Sequence, residues 1–150
     1  MPVKLALLLT LLLGFSSCTK ELLTWDDYTP VRLQTALESG KPVLLDFYAE
    51  WCIPCMRLKH NTFRDKRVAA ALADFRLVRV DMTQGDNILG QGAANQYGVR
   101  GYPAVIFFDS QGREISEFRI GGYVPPEAFL KFLEENRGRI FSEASPAPAP

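Results

Sequence analysis

The stretch Pro42-Val43-Leu44-Leu45-Asp46-Phe47-Tyr48-Ala49 constrains the fold of this chain most. Its Val43-Leu44-Leu45 and Phe47-Tyr48 are nearly continuous apolar residues, the pattern of a central strand covered on both faces. A strand covered in that way needs helices above and below its sheet. It runs through Glu50-Trp51 directly into Cys52-Ile53-Pro54-Cys55, where a helix from about Ile53 to Thr62 is expected. Two thiols therefore stand where a central strand hands over to a helix.

The remaining elements extend the same architecture. Leu33 to Glu38 reads as a short helix, and Asp65 can cap another through Val68 to Ala73. Phe75 to Met82 is a second strand. Asp86 to Tyr97 is a helix capped by Asp86 and stopped by Gly98. Ala104 to Phe108 is a strand, Ser110-Gln111-Gly112 a turn, and Glu114 to Ile120 alternates as a half-covered strand. Pro125 or Pro126 opens a last helix, with Gly138 beyond its end. The order is βαβα, then a β-hairpin and a helix, which makes the fold class α/β with a central mixed sheet and helices on both faces.

Two thiols two residues apart can form and break a disulfide reversibly. A thiol in the first turn of a helix faces unpaired N–H groups and the positive end of the helix dipole. Both favour the thiolate, the reactive species, and predict for Cys52 a pKa below the free value of about 8.5. Cys55, about one turn on, can attack a mixed disulfide formed by Cys52. The pattern has rivals. A structural zinc site usually needs four ligands, and the chain has three cysteines and one histidine. His60 follows Cys55 by five positions, about 140° around a helix, and does not converge with the pair. A c-type haem site needs His where Met56 stands. An inert structural disulfide and a Cu(I) site of Cys52, Cys55 and a third ligand such as Met56 remain as alternatives. So does a recognition module that holds partner thiols without turnover.

The two ends bear on location. Lys4 is followed by an almost wholly apolar stretch, Leu5 to Phe15. It is too short to span a membrane, which takes about 20 residues, but it suits the apolar region of an export signal. Ser16, Ser17 and Cys18 follow, so residues 1–17 read as a lipoprotein-type signal peptide with Cys18 as the lipidated residue. A plain secretory signal with Cys18 as a stray thiol is the alternative. Residues 18–24 read as a tether, 22–141 as the folded domain, and the Pro/Ala-rich 142–150 as a disordered tail. Export places the pair where disulfides persist. Thr19 after Cys18 favours the outer membrane over the inner. Lys+Arg and Asp+Glu balance at 17 each, which leaves no basic surplus to attract nucleic acid.

The chain resembles the thioredoxin family through Val43-Leu44-Leu45-Asp46-Phe47-Tyr48-Ala49-Glu50-Trp51-Cys52-Ile53-Pro54-Cys55 and Gly101-Tyr102-Pro103. Within that family it is most similar to the C-terminal periplasmic domain of the DsbD thiol:disulfide interchange proteins. That similarity runs through Asn61-Thr62-Phe63, Asp81-Met82-Thr83, Ile106-Phe107-Phe108-Asp109 and Gly112, across Thr35 to Glu135. The resemblance implies a thioredoxin fold and a protein-disulfide oxidoreductase with Cys52 as nucleophile and Cys55 as resolving thiol. It needs no cofactor beyond the Cys52–Cys55 disulfide. The implied setting is the periplasm, as a lipid-anchored, monomeric module that exchanges with protein thiols and disulfides and is recharged by a membrane thiol electron donor.

The resemblance also assigns other residues. A carboxylate at Asp46, within an apolar strand, is costly to bury unless partnered or protonated. The resemblance makes it the proton acceptor for Cys55; the plainer reading is a strand-end Asp bonded to backbone. Family members usually offer a Lys from the neighbouring strand, at a position that falls on Leu77. Pro103 is implied to be cis and to face the thiols, with a trans strand-edge proline as the alternative; Tyr102 stands where Thr is common. Trp51 reads as an apolar platform beside the nucleophile, or else as core. Glu50, Arg100 and His60 read as surface residues. The absence of a cation between the cysteines, at Ile53-Pro54, leans the chain towards acting as a reductant, because a strongly stabilised reduced form is what makes an oxidant.

Overall fold

A computed structural model describes residues 21–142. The expected signal, Cys18 and the tail beyond Ser142 lie outside the described residues. The elements are β1 (Asp26–Asp27), α1 (Pro30–Leu37), β2 (Val43–Tyr48), α2 (Ile53–Arg57), α3 (Lys66–Ala71), β3 (Arg76–Asp81), α4 (Ile88–Gln96), β4 (Ala104–Phe108), α5 (Pro126–Glu135) and α6 (Arg137–Ile140). They form one sheet in the order β1-β3-β2-β4. β1 and β2 both pair with β3 in parallel, and β2 pairs with β4 antiparallel. This is the expected mixed sheet.

The apolar run of β2 makes it central. Alternate residues feed two cores. Leu44 joins Leu77, Val105 and Phe107 beneath α3, α5 and α6, with Phe129 and Val68 fully buried. Val43, Leu45 and Phe47 join Val78, Val80, Ile106 and the helices α1 and α4 on the other face. Burying a side chain of this size contributes about 1.5–3 kcal/mol, so two covered faces hold β2 firmly beneath whatever follows it.

Helix starts follow local chemistry. Thr29 caps α1, with Pro30 in its first turn, so that helix begins before the expected Leu33. Asp65 caps α3 as expected, its Oδ1 accepting from Arg67 N at 2.8 Å. The cap of α4 is Asn87 rather than Asp86, with Oδ1 accepting from Gly90 N at 2.9 Å. The same side chain donates to Asp81 O, which ties the helix start to the end of β3.

Three further expectations are corrected. The helix from Ile53 is α-helical only to Arg57 and then widens to a π-turn, Leu58–Thr62, closed by Phe63 N donating to Leu58 O at 2.9 Å. The widened turn lets Leu58, Thr62 and Phe63 all reach the interior. The strand expected over Glu114 to Ile120 is reduced to two isolated bridges, Phe108↔Glu114 and Val105↔Ile120. Between them β4 advances three residues and the partner six, and the excess is taken up in a 3-10 turn, Ser116–Phe118, that buries Phe118. The helix opened at Pro126 ends before Gly138, as expected, but it is not the last: a further short helix, α6, contains Gly138 and closes the core with Ile140 at 0 % exposure. The turn at Gly112 requires glycine: φ is +75°, and a Cβ would sit 2.7 Å from Leu37 O.

Candidate active site

The end of β2 delivers Ala49, Glu50 and Trp51 to the start of α2, and Cys52 is the residue that caps it. Its Sγ accepts from Cys55 N at 3.3 Å, and Cys52 and Cys55 are joined in a disulfide with an S–S distance of 2.09 Å. The two sulfurs stand in one first turn because the cap geometry turns Cys52 over the N–H groups of that turn. Cys52 is 6 % exposed and Cys55 2 %. Cys52 is thus the more accessible, in the order expected, although neither lies open to solvent.

Exposed apolar groups surround the pair. Trp51 is 65 % and Ile53 75 % exposed, which removes the reading of Trp51 as core. Its indole Nε1 donates to Thr83 O at 3.2 Å, and Thr83 Oγ1 accepts from Glu50 N at 3.0 Å. The loop after β3 therefore holds the ring in place. Across from it stands Tyr102, with ring centroids 6.0 Å apart. The Tyr102–Pro103 peptide is cis and Pro103 is buried. Tyr102 packs against the cluster that contains both cysteines. Glu50, Arg100 and His60 are exposed, as expected, and Met56 packs partly buried against the same cluster.

Asp46 points to the opposite face of β2 from Leu45 and Phe47, the side that carries Leu44 and Leu58. It is 3 % exposed. Burial pushes its carboxyl up from 3.8 to about 6, against the opposing pull of the Arg79 guanidinium and, more weakly, of Lys59. Arg79 is its register partner on β3, with Nε 3.4 Å from Asp46 Oδ2. Among the described residues neither Arg79 Nε nor Asp46 Oδ1 has a hydrogen-bond partner. The pair is a charge contact with poor alignment, and one carboxylate oxygen remains free to take a proton. Lys59, four residues after Cys55 in the π-turn that continues α2, is near enough to favour the Asp46 carboxylate weakly.

Leu77, at the position where family members usually carry a Lys, is core, and the strand supplies a cation to Asp46 from Arg79 instead. A two-residue displacement preserves the face of the strand. Arg79 escapes a reading of the sequence because a single charged residue within a short apolar run looks like the solvated face of a strand. The signal is its place in Leu77-Val78-Arg79-Val80, a strand too apolar to have a wet face. Trp25, whose ring lies 4.1 Å from Arg79 Cζ, escapes it too. Among the described residues no group of three or more His, Cys, Asp or Glu residues is placed to hold a metal ion, so the copper alternative gains no support.

The arrangement can carry out thiol–disulfide exchange: a reversible disulfide under an apolar rim, with a buried carboxyl of raised pKa on the strand below. Comparison with known proteins agrees. The thioredoxin-like domain family matches residues 29–137. The thiol:disulfide interchange protein DsbD of Ralstonia nicotianae is 38% identical over 113 residues, covering 75% of this chain and 18% of that protein. The chain thus spans less than a fifth of the length of the curated relatives it matches. Among solved structures, the oxidised C-terminal domain of Neisseria meningitidis DsbD superposes with a TM-score of 0.61 at 30% identity, covering 73% of this chain and 97% of that one. A thioredoxin from Thermus thermophilus gives 0.62 at 30% identity, over 75% and 85%. A cysteine pair on this sheet, matched over this span, means that the chain belongs to the thioredoxin-like family and shares the thiol–disulfide exchange fold of the DsbD C-terminal domain.

Proposed function

We propose that the chain is an exported, membrane-tethered oxidoreductase that reduces protein disulfides or relays electrons to them. The Cys52–Cys55 disulfide beneath a rim of exposed Trp51 and Ile53 and half-buried Tyr102 carries this reading. In the reduced enzyme the Cys52 thiolate attacks a partner disulfide. One S–S bond forms between Cys52 and the partner, and the partner's other sulfur leaves as a thiolate. Cys55 then gives its proton to Asp46 and attacks Cys52 Sγ. The partner's second sulfur leaves as a thiolate, its two thiolates take up the proton from Asp46 and one from water, and Cys52–Cys55 is again a disulfide. Two electrons have moved, and no further cofactor takes part. A carboxyl near 6 suits Asp46 to this task, because a proton acceptor works best with a pKa near the operating pH.

Trp51 and Tyr102 form the platform for the partner, and the backbone before Pro103 pairs with its extended chain. The names of the relatives support protein thiols and disulfides as partners. A periplasmic location, a lipid at Cys18, anchoring in the outer membrane, monomeric action and a membrane dithiol as electron donor complete the proposal. It rests there on the sequence around Leu5 to Thr19 and on the DsbD resemblance.

Trapping tests the reading. Cys55→Ser, mixed with a disulfide-bonded protein, should accumulate an adduct through Cys52 that reductant dissolves. No adduct, or a Cys55→Ser variant with parental turnover, contradicts it. Asp46→Asn should lengthen the life of the mixed disulfide while leaving attack by Cys52 nearly unchanged; equal lifetimes refute the proton-acceptor role.

A further inference from the structure

The guanidinium of Arg79 stands where its hydrogen bonds do not explain it. Among the described residues its Nε lacks a hydrogen-bond partner, and its contact with Asp46 is 3.4 Å. A guanidinium with five donors favours a bidentate carboxylate or water over such a contact. Aromatic rings hold it instead. Arg79 Cζ lies 4.1 Å from the Trp25 ring centroid and 5.0 Å from that of Tyr48, inside the ~6 Å range of cation–π attraction, which is stronger where water is excluded. Arg79 is 8 % exposed.

Trp25 is itself anchored. Its ring meets Phe63 at 5.1 Å, and Leu23, two residues before, is 7 % exposed. The backbone that follows is stitched to β3: Asp26 pairs with Val78, Asp27 with Arg79, and Tyr28 N donates to Arg79 O at 2.8 Å. The N-terminal arm thus crosses the Asp46–Arg79 pair. It leaves a recess of about 10 Å³ among Leu23, Trp25, Lys59, Phe63, Arg64 and Arg79, barely the room one water needs.

The geometry points to Trp25 as a positioning residue: its indole clamps Arg79 against Asp46, so the N-terminal arm sets how readily Asp46 accepts the proton of Cys55. The functional half of this statement rests on Asp46 being that acceptor. Other charges face the pair. Tyr48 and Asp46 come from β2, Arg79 and Asp81 from β3, Lys59 and Arg64 from the π-turn and just beyond it, and Glu21 and Asp27 from the arm. Tyr48 stays neutral, since burial and Asp81 push it up to about 12. Lys59 remains when Trp25 is removed, which bounds the effect.

In Trp25→Ala the poorly bonded guanidinium turns to water, and Asp46 loses its nearest cation. The carboxyl signal of Asp46, assigned with Asp46→Asn, is followed by NMR through a pH titration of the oxidised chain. Its midpoint should rise by roughly 0.5–1 pH unit, about a threefold to tenfold gain in proton affinity. Trp25→Leu, which keeps the arm apolar, should give the same rise if Trp25→Ala fails to fold. Trp25→Phe should keep the parental midpoint. In an Arg79→Met background, adding Trp25→Leu should move nothing further. The pH at which resolution of the mixed disulfide accelerates should move with the midpoint. An unmoved or lowered midpoint, or an equal rise without Arg79, overturns the clamp. An Asp46→Asn variant with parental mixed-disulfide lifetime would instead sink the acceptor role and leave the clamp standing.

Discussion

Asp46→Asn should stabilise the fold, and only at neutral pH. Burial holds the Asp46 carboxyl at about 6 in the folded chain against 3.8 for the free group. Between those values the folded chain binds a proton that the unfolded chain has released, so stability falls as pH rises through the window. A displacement of roughly two pH units, at 1.36 kcal/mol each, corresponds to about 3 kcal/mol lost above pH 6. The amide introduced by Asp46→Asn cannot ionise and has nearly the shape of the protonated acid. At pH 4 parent and variant both present a neutral group to Arg79, so their difference there is the baseline for the packing and hydrogen-bonding change. By pH 7.5 the variant should have gained about 2.4 kcal/mol over that baseline, because the unfolded group is already partly ionised at pH 4, a urea midpoint displaced by about 1.6 M for an m-value near 1.5 kcal/mol/M. Urea unfolding of the oxidised chain at both pH values measures it. A difference independent of pH, or a variant that loses stability towards neutrality, would show that Asp46 is an ordinary ion-paired carboxylate and refute the reasoning.

Arg79→Leu leaves the Asp46 carboxylate buried without its partner, so it should cost about 2–4 kcal/mol at pH 7.5 and far less at pH 4.5, where Asp46 takes a proton; urea unfolding at the two pH values checks this. Trp51→Ala removes an exposed ring, so unfolding should move by less than about 1 kcal/mol. Attack on a protein disulfide, followed in stopped flow, should slow by about tenfold, while attack on a small aromatic disulfide hardly changes. Phe129→Ala empties a site that is 0 % exposed and in contact with Phe63 and Phe107, and it should cost about 3–5 kcal/mol by the same urea assay.

Most of the fold was legible wherever burial leaves a periodic trace. The run Val43-Leu44-Leu45 announces a strand with two covered faces, and Cys52 and Cys55 at its end announce the chemistry. Asp65 announces a cap by its side-chain oxygen. What stayed hidden follows from interactions between distant segments. β1 is two exposed aspartates, Asp26–Asp27, with no apolar alternation to mark a strand; only pairing with Val78 and Arg79 makes it one. Glu114 to Ile120 alternates like a strand, but six residues must match three on β4, and the surplus turns inward at Phe118. The π-turn after Arg57 has no composition of its own and comes from the need to bury Leu58, Thr62 and Phe63 together. At the site, Asp46 could be named from its misplaced charge. Its partner could not, because Arg79 becomes a buried cation only once Trp25 and Tyr48 close over it.

A single-turnover thiol count most directly tests the central claim. The chain is reduced, freed of reductant and mixed one to one with a disulfide-bonded protein; free thiols on each are then alkylated and weighed by mass spectrometry. The account predicts that Cys52 and Cys55 become unreactive together as two new thiols appear on the partner, and that Cys52→Ser abolishes both changes. A pair that stays linked under strong reductant, or that keeps its thiols while the partner's disulfide remains intact, contradicts it.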